Sequence, residues 1–252
     1  MHPMRITDLS GLQEADRQLI YELISGASGL VLAIFMWGHM ILVGSILTGR
    51  RGFDWMATAL EEYYIAQPTV VAVLVLFLVH ALFAARKIPA RLRERRQMLQ
   101  VSRELRNAPA APGSKRAYRP HLESMLWIWQ LRTGLIILVI GSFHVILLAV
   151  DVLTPLFGEH AGIEAETTIA RVSSGLWLPY AILLLCVEFH ASVGLYRLAV
   201  KWGAGTFLSR STLRVIERVL LWSILALGSV TLVVMAEWLP PPLAFLLDPA
   251  SP

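Results

Sequence analysis

Four histidines, His39, His80, His144 and His190, stand in four separate membrane-length apolar stretches of the chain. An imidazole in hydrocarbon is costly, so such a residue marks a site with a definite partner. Its two ring nitrogens divide between donor and lone pair, which suits it to metal ligation or to proton relay. One histidine of this kind reads most simply as a hydrogen bond between helices. Four on four different segments predict two bis-histidine metal centres, and in a bundle of membrane helices these read as two haems. The residues describe an electron carrier.

Depth sorts the four into pairs. Spanning a bilayer takes about 20 apolar residues, and five segments reach that length: Leu23–Leu47, Gln67–Ala85, Gln130–Val152, Ser174–Val200 and Ile216–Leu239. A helix rises about 1.5 Å per residue, so position in a segment gives depth. The first and third segments run outward and place His39 and His144 near the outer side. The second and fourth run inward and place His80 and His190 in the inner half. An outer pair, His39 with His144, and an inner pair, His80 with His190, follow, each drawn from two helices as the opposite faces of one porphyrin require. Structural zinc would gather its ligands at one point and would commonly use cysteine.

Composition agrees with a membrane bundle. The 252 residues are 56% hydrophobic and carry a net charge of +4, with a mean hydropathy of +0.61. The expected fold is all-α: five transmembrane helices binding two haems, in one membrane domain over 1–252. No internal repeat is evident, and no signal peptide is read at the start. The single cysteine, Cys186, leaves no pair for covalent haem attachment or for an iron–sulfur cluster. No glycine-rich dinucleotide fingerprint or phosphate loop is present.

Charge sets orientation. The stretch from Arg86 to Arg119 holds 11 of the 22 Lys and Arg against Glu94 and Glu104, and Arg197, Lys201, Arg210, Arg214 and Arg218 mark a second basic connection. The other two loops are acidic on balance, with Asp54, Glu61 and Glu62 in one and Asp151, Glu159, Glu164 and Glu166 in the other. The positive-inside rule puts the basic loops and the N-terminal segment 1–22 in the cytoplasm, with the tail 240–252 outside. The basic loop 86–120 opens with a charged helical stretch, Pro89–Arg106, expected as a surface helix or a platform for a partner. It breaks at Ala108–Gly113. Juxtamembrane basic runs account for the charge without nucleic acid.

Small residues stand near the ligands: Gly38 precedes His39, while Gly141 and Gly194, three and four residues from His144 and His190, are read as room for a flat macrocycle, against ordinary helix packing. Glu188 lies in an apolar run near mid-membrane, where a charge is expensive. That suits a carboxyl that takes up and releases a proton, or a neutral one bonding between helices. At two residues from His190 it is expected to face away from that ligand's haem.

The stretch Val187–Gly203 (VEFHASVGLYRLAVKWG) resembles the signature of the dihaem cytochrome b subunit of menaquinol:fumarate and succinate:menaquinone reductases. Phe35–Met40, His80–Pro89 and Leu126–Gly134 resemble it too, and the likeness runs from about Ser25 to Gly203. The resemblance implies membrane anchorage for a flavoprotein with FAD and an iron–sulfur subunit, in a bacterial inner membrane. Assembly as a dimer of such heterotrimers is compatible with it. It implies electron transfer between menaquinol and the partner clusters through two b haems, with the chemistry of fumarate and succinate on the flavoprotein. It also implies that His80 and His190 hold the haem proximal to the iron–sulfur subunit, and His39 and His144 the distal one.

The same resemblance gives roles to further residues. Glu61 matches a quinol-side base, with Glu62 and a solvated carboxylate as alternatives. Glu188 matches a transmembrane proton pathway. Lys201, Trp127, Gln130 and Ser25 match contacts to haem propionates. Gly26 lacks the donor expected beside Ser25, with Arg132 as a substitute. Two other functions compete: a dihaem cytochrome b of a hydrogenase or formate dehydrogenase, and a proton-coupled transporter whose histidines hold no cofactor.

Overall fold

The computed structural model describes residues 6–107, 122–153 and 163–247. Among these all regular structure is helical, because a segment in hydrocarbon must satisfy its own backbone donors and acceptors. The long helices are α1 (Ile6–Gly44), α3 (Ala66–Asn107), α4 (Leu122–Ile136), α5 (Ser142–Leu153), α7 (Trp177–Lys201) and α8 (Arg210–Met235). Two shorter ones, α2 (Arg50–Glu62) and α6 (Ala165–Arg171), lie between them. Five stretches are long and apolar enough to cross a membrane: Asp16–Thr48, Ala66–Val101, Met125–Leu153, Ala165–Lys201 and Arg210–Met235. Leu, Ile, Val and Trp side chains crowd their exposed faces, as lipid-facing surfaces require.

The expected spans are present, and several run further than hydropathy alone placed them. α3 continues through Pro89 to Asn107. The charged stretch is therefore no separate surface helix but the extension of a membrane helix out of its basic end. Proline removes one backbone donor there, and the ladder resumes beyond it. The break at Ala108–Gly113 lies outside the described residues, as does Glu159. The third span contains a turn of π helix, Ile137–Gly141, and the fourth is kinked between α6 and α7 at Gly175, whose φ of 116° is left-handed. Turns of π helix re-aim the side chains that follow and recur at functional sites.

α1 packs on α3, α4 on α7, α3 on α5, and α7 on α8. These contacts bring the helices bearing the four histidines around one interior. One end of this bundle carries Lys87, Arg197, Lys201 and Arg214, and is called the basic end below. The far end is closed by α2 and α6 over a buried cluster that includes Ile46, Phe53, Ile169 and Met235. Two carboxylates pin that lid. Asp54 Oδ1 accepts the Ala165 N–H at 2.8 Å, and Glu61 Oε1 accepts the Ile163 N–H at 2.8 Å. The acidic loop is thus mostly helix, held in place by its own acids.

Candidate functional site

A largely apolar cavity of about 990 Å³ runs through the bundle, and all four histidines line it. That is the upper end of the volumes typical of ligand sites. Among the described residues no three His, Cys, Asp or Glu side chains converge as metal ligands. The histidines meet in twos.

At the basic end His80 of α3 faces His190 of α7, with ring centres 6.1 Å apart and planes at 86°. His80 Nδ1–H donates to the Ser25 carbonyl at 3.0 Å, and His190 Nδ1–H donates to the Gln130 carbonyl at 2.9 Å. A neutral imidazole that donates from Nδ1 keeps its lone pair on Nε2, so these bonds fix the tautomer that ligates through Nε2. Backbone carbonyls commonly orient metal-bound imidazoles in this way. Both carbonyls belong to helices, and each has a second lone pair beyond its i+4 bond. The residue four positions on is glycine in each case. A Cβ on Gly29 would sit 2.8 Å from His80 Cε1, and one on Gly134 would sit 2.9 Å from His190 Cε1. The rings reach the carbonyls only because those two positions lack a side chain.

At the far level His39 of α1 faces His144 of α5, with ring centres 6.0 Å apart and planes at 66°. Phe35 stacks on His39 at 5.8 Å, and the Tyr180 ring meets His144 edge-on at 5.3 Å. His144 Nδ1 is buried and has no hydrogen-bond partner among the described residues. Aromatic contacts hold this pair where carbonyls hold the other. The levels are ten residues apart on three spans, from Gly29 to His39, Gly134 to His144 and His190 back to Tyr180, or about 15 Å at helical rise.

The spacing within each pair fits an axially ligated haem. A metal–imidazole bond of about 2.0–2.1 Å and about 1.1 Å from nitrogen to ring centre put two opposed rings about 6.3 Å apart. The 6.0 and 6.1 Å observed lie close to that value. Each pair offers two nitrogens, and a porphyrin would supply the remaining four donors of a haem iron.

The other sequence-derived residues fall into place unevenly. Ser25, Trp127, Gln130 and Lys201 all line the cavity, at its basic end. Lys201 pairs with Glu22. Gly26 is a packing position, since a Cβ there would lie 2.9 Å from Leu198 Cδ1. The Arg132 guanidinium stands over Trp129, 5.3 Å from the ring centre, and is not among the residues that line the cavity. Gly38, next to His39, faces open space in the cavity. The space beside Gly194 is taken by the Gln130 amide at 3.0 Å, and that beside Gly141 by Ile137 at 3.2 Å.

Glu188 is 3% exposed and makes no hydrogen bond or ion pair among the described residues. It lines the large cavity that also takes in His190. Glu61 sits at the cavity rim between Leu60 and Ile163, which line it, while Glu62 is exposed. Sequence reasoning missed Arg171, which lines the cavity beside the far pair and pairs with Asp151. Its signal was a lone cation opposite a lone acid at the same ends of adjacent spans.

The five candidate spans and the two facing histidine pairs describe a helical membrane subunit. Residues 106–235 match the family described as the succinate dehydrogenase/fumarate reductase transmembrane subunit. The fumarate reductase cytochrome b subunit of Wolinella succinogenes is 33% identical over 185 residues, 70% of this chain and 64% of that protein. Its counterparts from two strains of Helicobacter pylori are 29% and 30% identical over 201 residues, 77% of this chain and 71% of theirs. The chain belongs to this family of succinate dehydrogenase and fumarate reductase membrane subunits.

Proposed function

We propose that this chain is the electron-transfer anchor of a quinol:fumarate or succinate:quinone oxidoreductase, with one b haem between His80 and His190 and a second between His39 and His144. The observation that carries this reading is the matched spacing of the two imidazole pairs, 6.1 and 6.0 Å. When bound, the haems supply one-electron carriers at two depths between menaquinol and the iron–sulfur clusters of a partner subunit.

The protein's own residues do the rest. The Ser25 and Gln130 carbonyls hold Nε2 of His80 and His190 toward the cavity. Phe35 and Tyr180 hold the far rings. Ser25, Trp127, Gln130 and Lys201 offer donors to propionates at the basic end, and Arg171 offers a cation at the far end. Apolar walls keep water from the span. Glu61 Oε1 is engaged by Ile163 N–H, which leaves Oε2 as the atom that accepts a proton from a quinol hydroxyl at the rim. Glu188, buried on the cavity wall, holds and passes a proton within the membrane.

The basic end is cytoplasmic by the positive-inside rule, and the soluble flavoprotein and iron–sulfur subunits dock there. Purification of the assembled complex tests the reading. It should contain flavin and oxidise a menaquinol analogue with fumarate as acceptor, or run the reverse reaction with succinate. Copurification with a hydrogenase or formate dehydrogenase, with no fumarate or succinate activity, would overturn it.

A further inference from the structure

The basic-end site is built twice. On the first and third spans a residue whose carbonyl receives an imidazole is followed four positions on by a glycine and fourteen on by a histidine: Ser25, Gly29, His39 and Gln130, Gly134, His144. On α3 and α7 a histidine is followed seven positions on by a cation: His80, Lys87 and His190, Arg197. The two halves also close the same contact. Lys87 Nζ donates to Ser25 Oγ at 2.9 Å, and Arg197 Nη1 donates to Gln130 Oε1 at 2.8 Å. No repeat of residue types shows this, because Ser stands for Gln and Lys for Arg. The repeat is one of spacing and contact.

Helix geometry explains the pattern. A helical carbonyl points toward the C-terminus of its helix, while Cα–Cβ bonds lean toward the N-terminus. α1 and α4 both start at the basic end, so Ser25 and Gln130 each offer a carbonyl upward to the imidazole and a side chain downward. α3 and α7 run the other way. Seven residues, two turns, carry Lys87 and Arg197 about 10 Å below their histidines on nearly the same face. One cation per ligand helix therefore grips the residue that its own histidine bonds.

We propose that Lys87 and Arg197 are paired positioning residues that lock the two axial imidazoles of the basic-end haem in their near-perpendicular orientation, acting through Ser25 and Gln130. Neither touches a ligand histidine in this role. Each ties a ligand-bearing helix to its partner, so that the carbonyl and imidazole stay in register. This rests on the two-haem reading above.

The test uses the assembled membrane complex and the electron paramagnetic resonance of its ferric haems, whose highest g value reports the angle between axial imidazole planes. Arg197→Ala and Gln130→Leu should both shift the basic-end signal and leave the far-level signal unchanged. The double variant should shift no further than the larger single one, because both remove one contact. Lys87→Met and Ser25→Ala should behave alike on the other side, and Arg197→Lys and Lys87→Arg should restore much of the signal. Loss of an oriented partner commonly costs about 10–100-fold in metal affinity, so faster loss of the basic-end haem in detergent should accompany the shift. Where Arg197→Ala retains no basic-end haem, Gln130→Leu decides: the same loss or shift supports the proposal, and a wild-type signal overturns it. Unchanged signals in haem-replete variants, or additive shifts, also overturn it. Absence of haem from the wild-type complex would instead overturn the reading beneath it.

Discussion

Gly134→Ala should weaken the basic-end haem site more than its single methyl suggests. The added Cβ would lie 2.9 Å from His190 Cε1, closer than real Cβ contacts come, and a tight 3.2 Å from its Nδ1. The ring is held on one side by its bond to the Gln130 carbonyl at 2.9 Å and, in the proposed state, by iron on the other. Retreat from the methyl must lengthen one of these bonds. Overpacking of this kind costs about 1–3 kcal/mol, and alanine returns up to about 1 kcal/mol of helix propensity. A net loss near 1–2 kcal/mol corresponds to about 5- to 30-fold weaker retention of the haem. Gly29→Ala, 2.8 Å from His80 Cε1, should do the same, while Gly205→Ala, with open space around it, should do nothing. The assay is haem content and rate of haem loss from the purified complex, with the two haems separated by their redox titration. Wild-type retention and an unshifted basic-end component in both Gly134→Ala and Gly29→Ala would refute the close-approach reasoning.

Ligand pairing makes a second prediction: His80→Ala and His190→Ala should remove the same spectral component, and His39→Ala and His144→Ala the other. Shared loss in His39→Ala and His80→Ala variants that assemble would break the pairing. Glu61→Gln should slow quinol oxidation while both haems stay bound and dye-driven fumarate reduction at the flavoprotein survives. Full quinol turnover would eliminate Glu61 as the base and move attention to Glu62. Glu188→Gln should spare the dye reaction and alter proton movement per turnover in vesicles, and unaltered rate and proton accounting would leave that carboxyl a structural part.

The sequence carries the spans and the pairing well, because both follow from single-helix quantities: apolar length, and depth at a fixed rise per residue. His39, His80, His144 and His190 could be matched without any knowledge of which helices touch. What depends on neighbours was less legible. Gly29 and Gly134 look like any small residues in a membrane helix until the imidazole of another helix is laid against them. Gly194, beside a ligand in sequence, turns out to make room for the Gln130 amide. Pro89 reads as the start of a separate charged helix, yet the membrane helix α3 runs on through it. The side-chain contacts Lys87–Ser25 and Arg197–Gln130 join residues more than sixty apart, and their shared spacing appears only once the carbonyls that accept the histidines are known.

The number of haems is the most direct test of the two facing histidine pairs. Pyridine haemochrome analysis of the purified complex, set against its content of this chain, should give two b haems per chain, all extractable into acidified acetone because no cysteine pair anchors them. One haem, none, or haem that resists extraction would contradict the two facing histidine pairs as the centre of this protein's function.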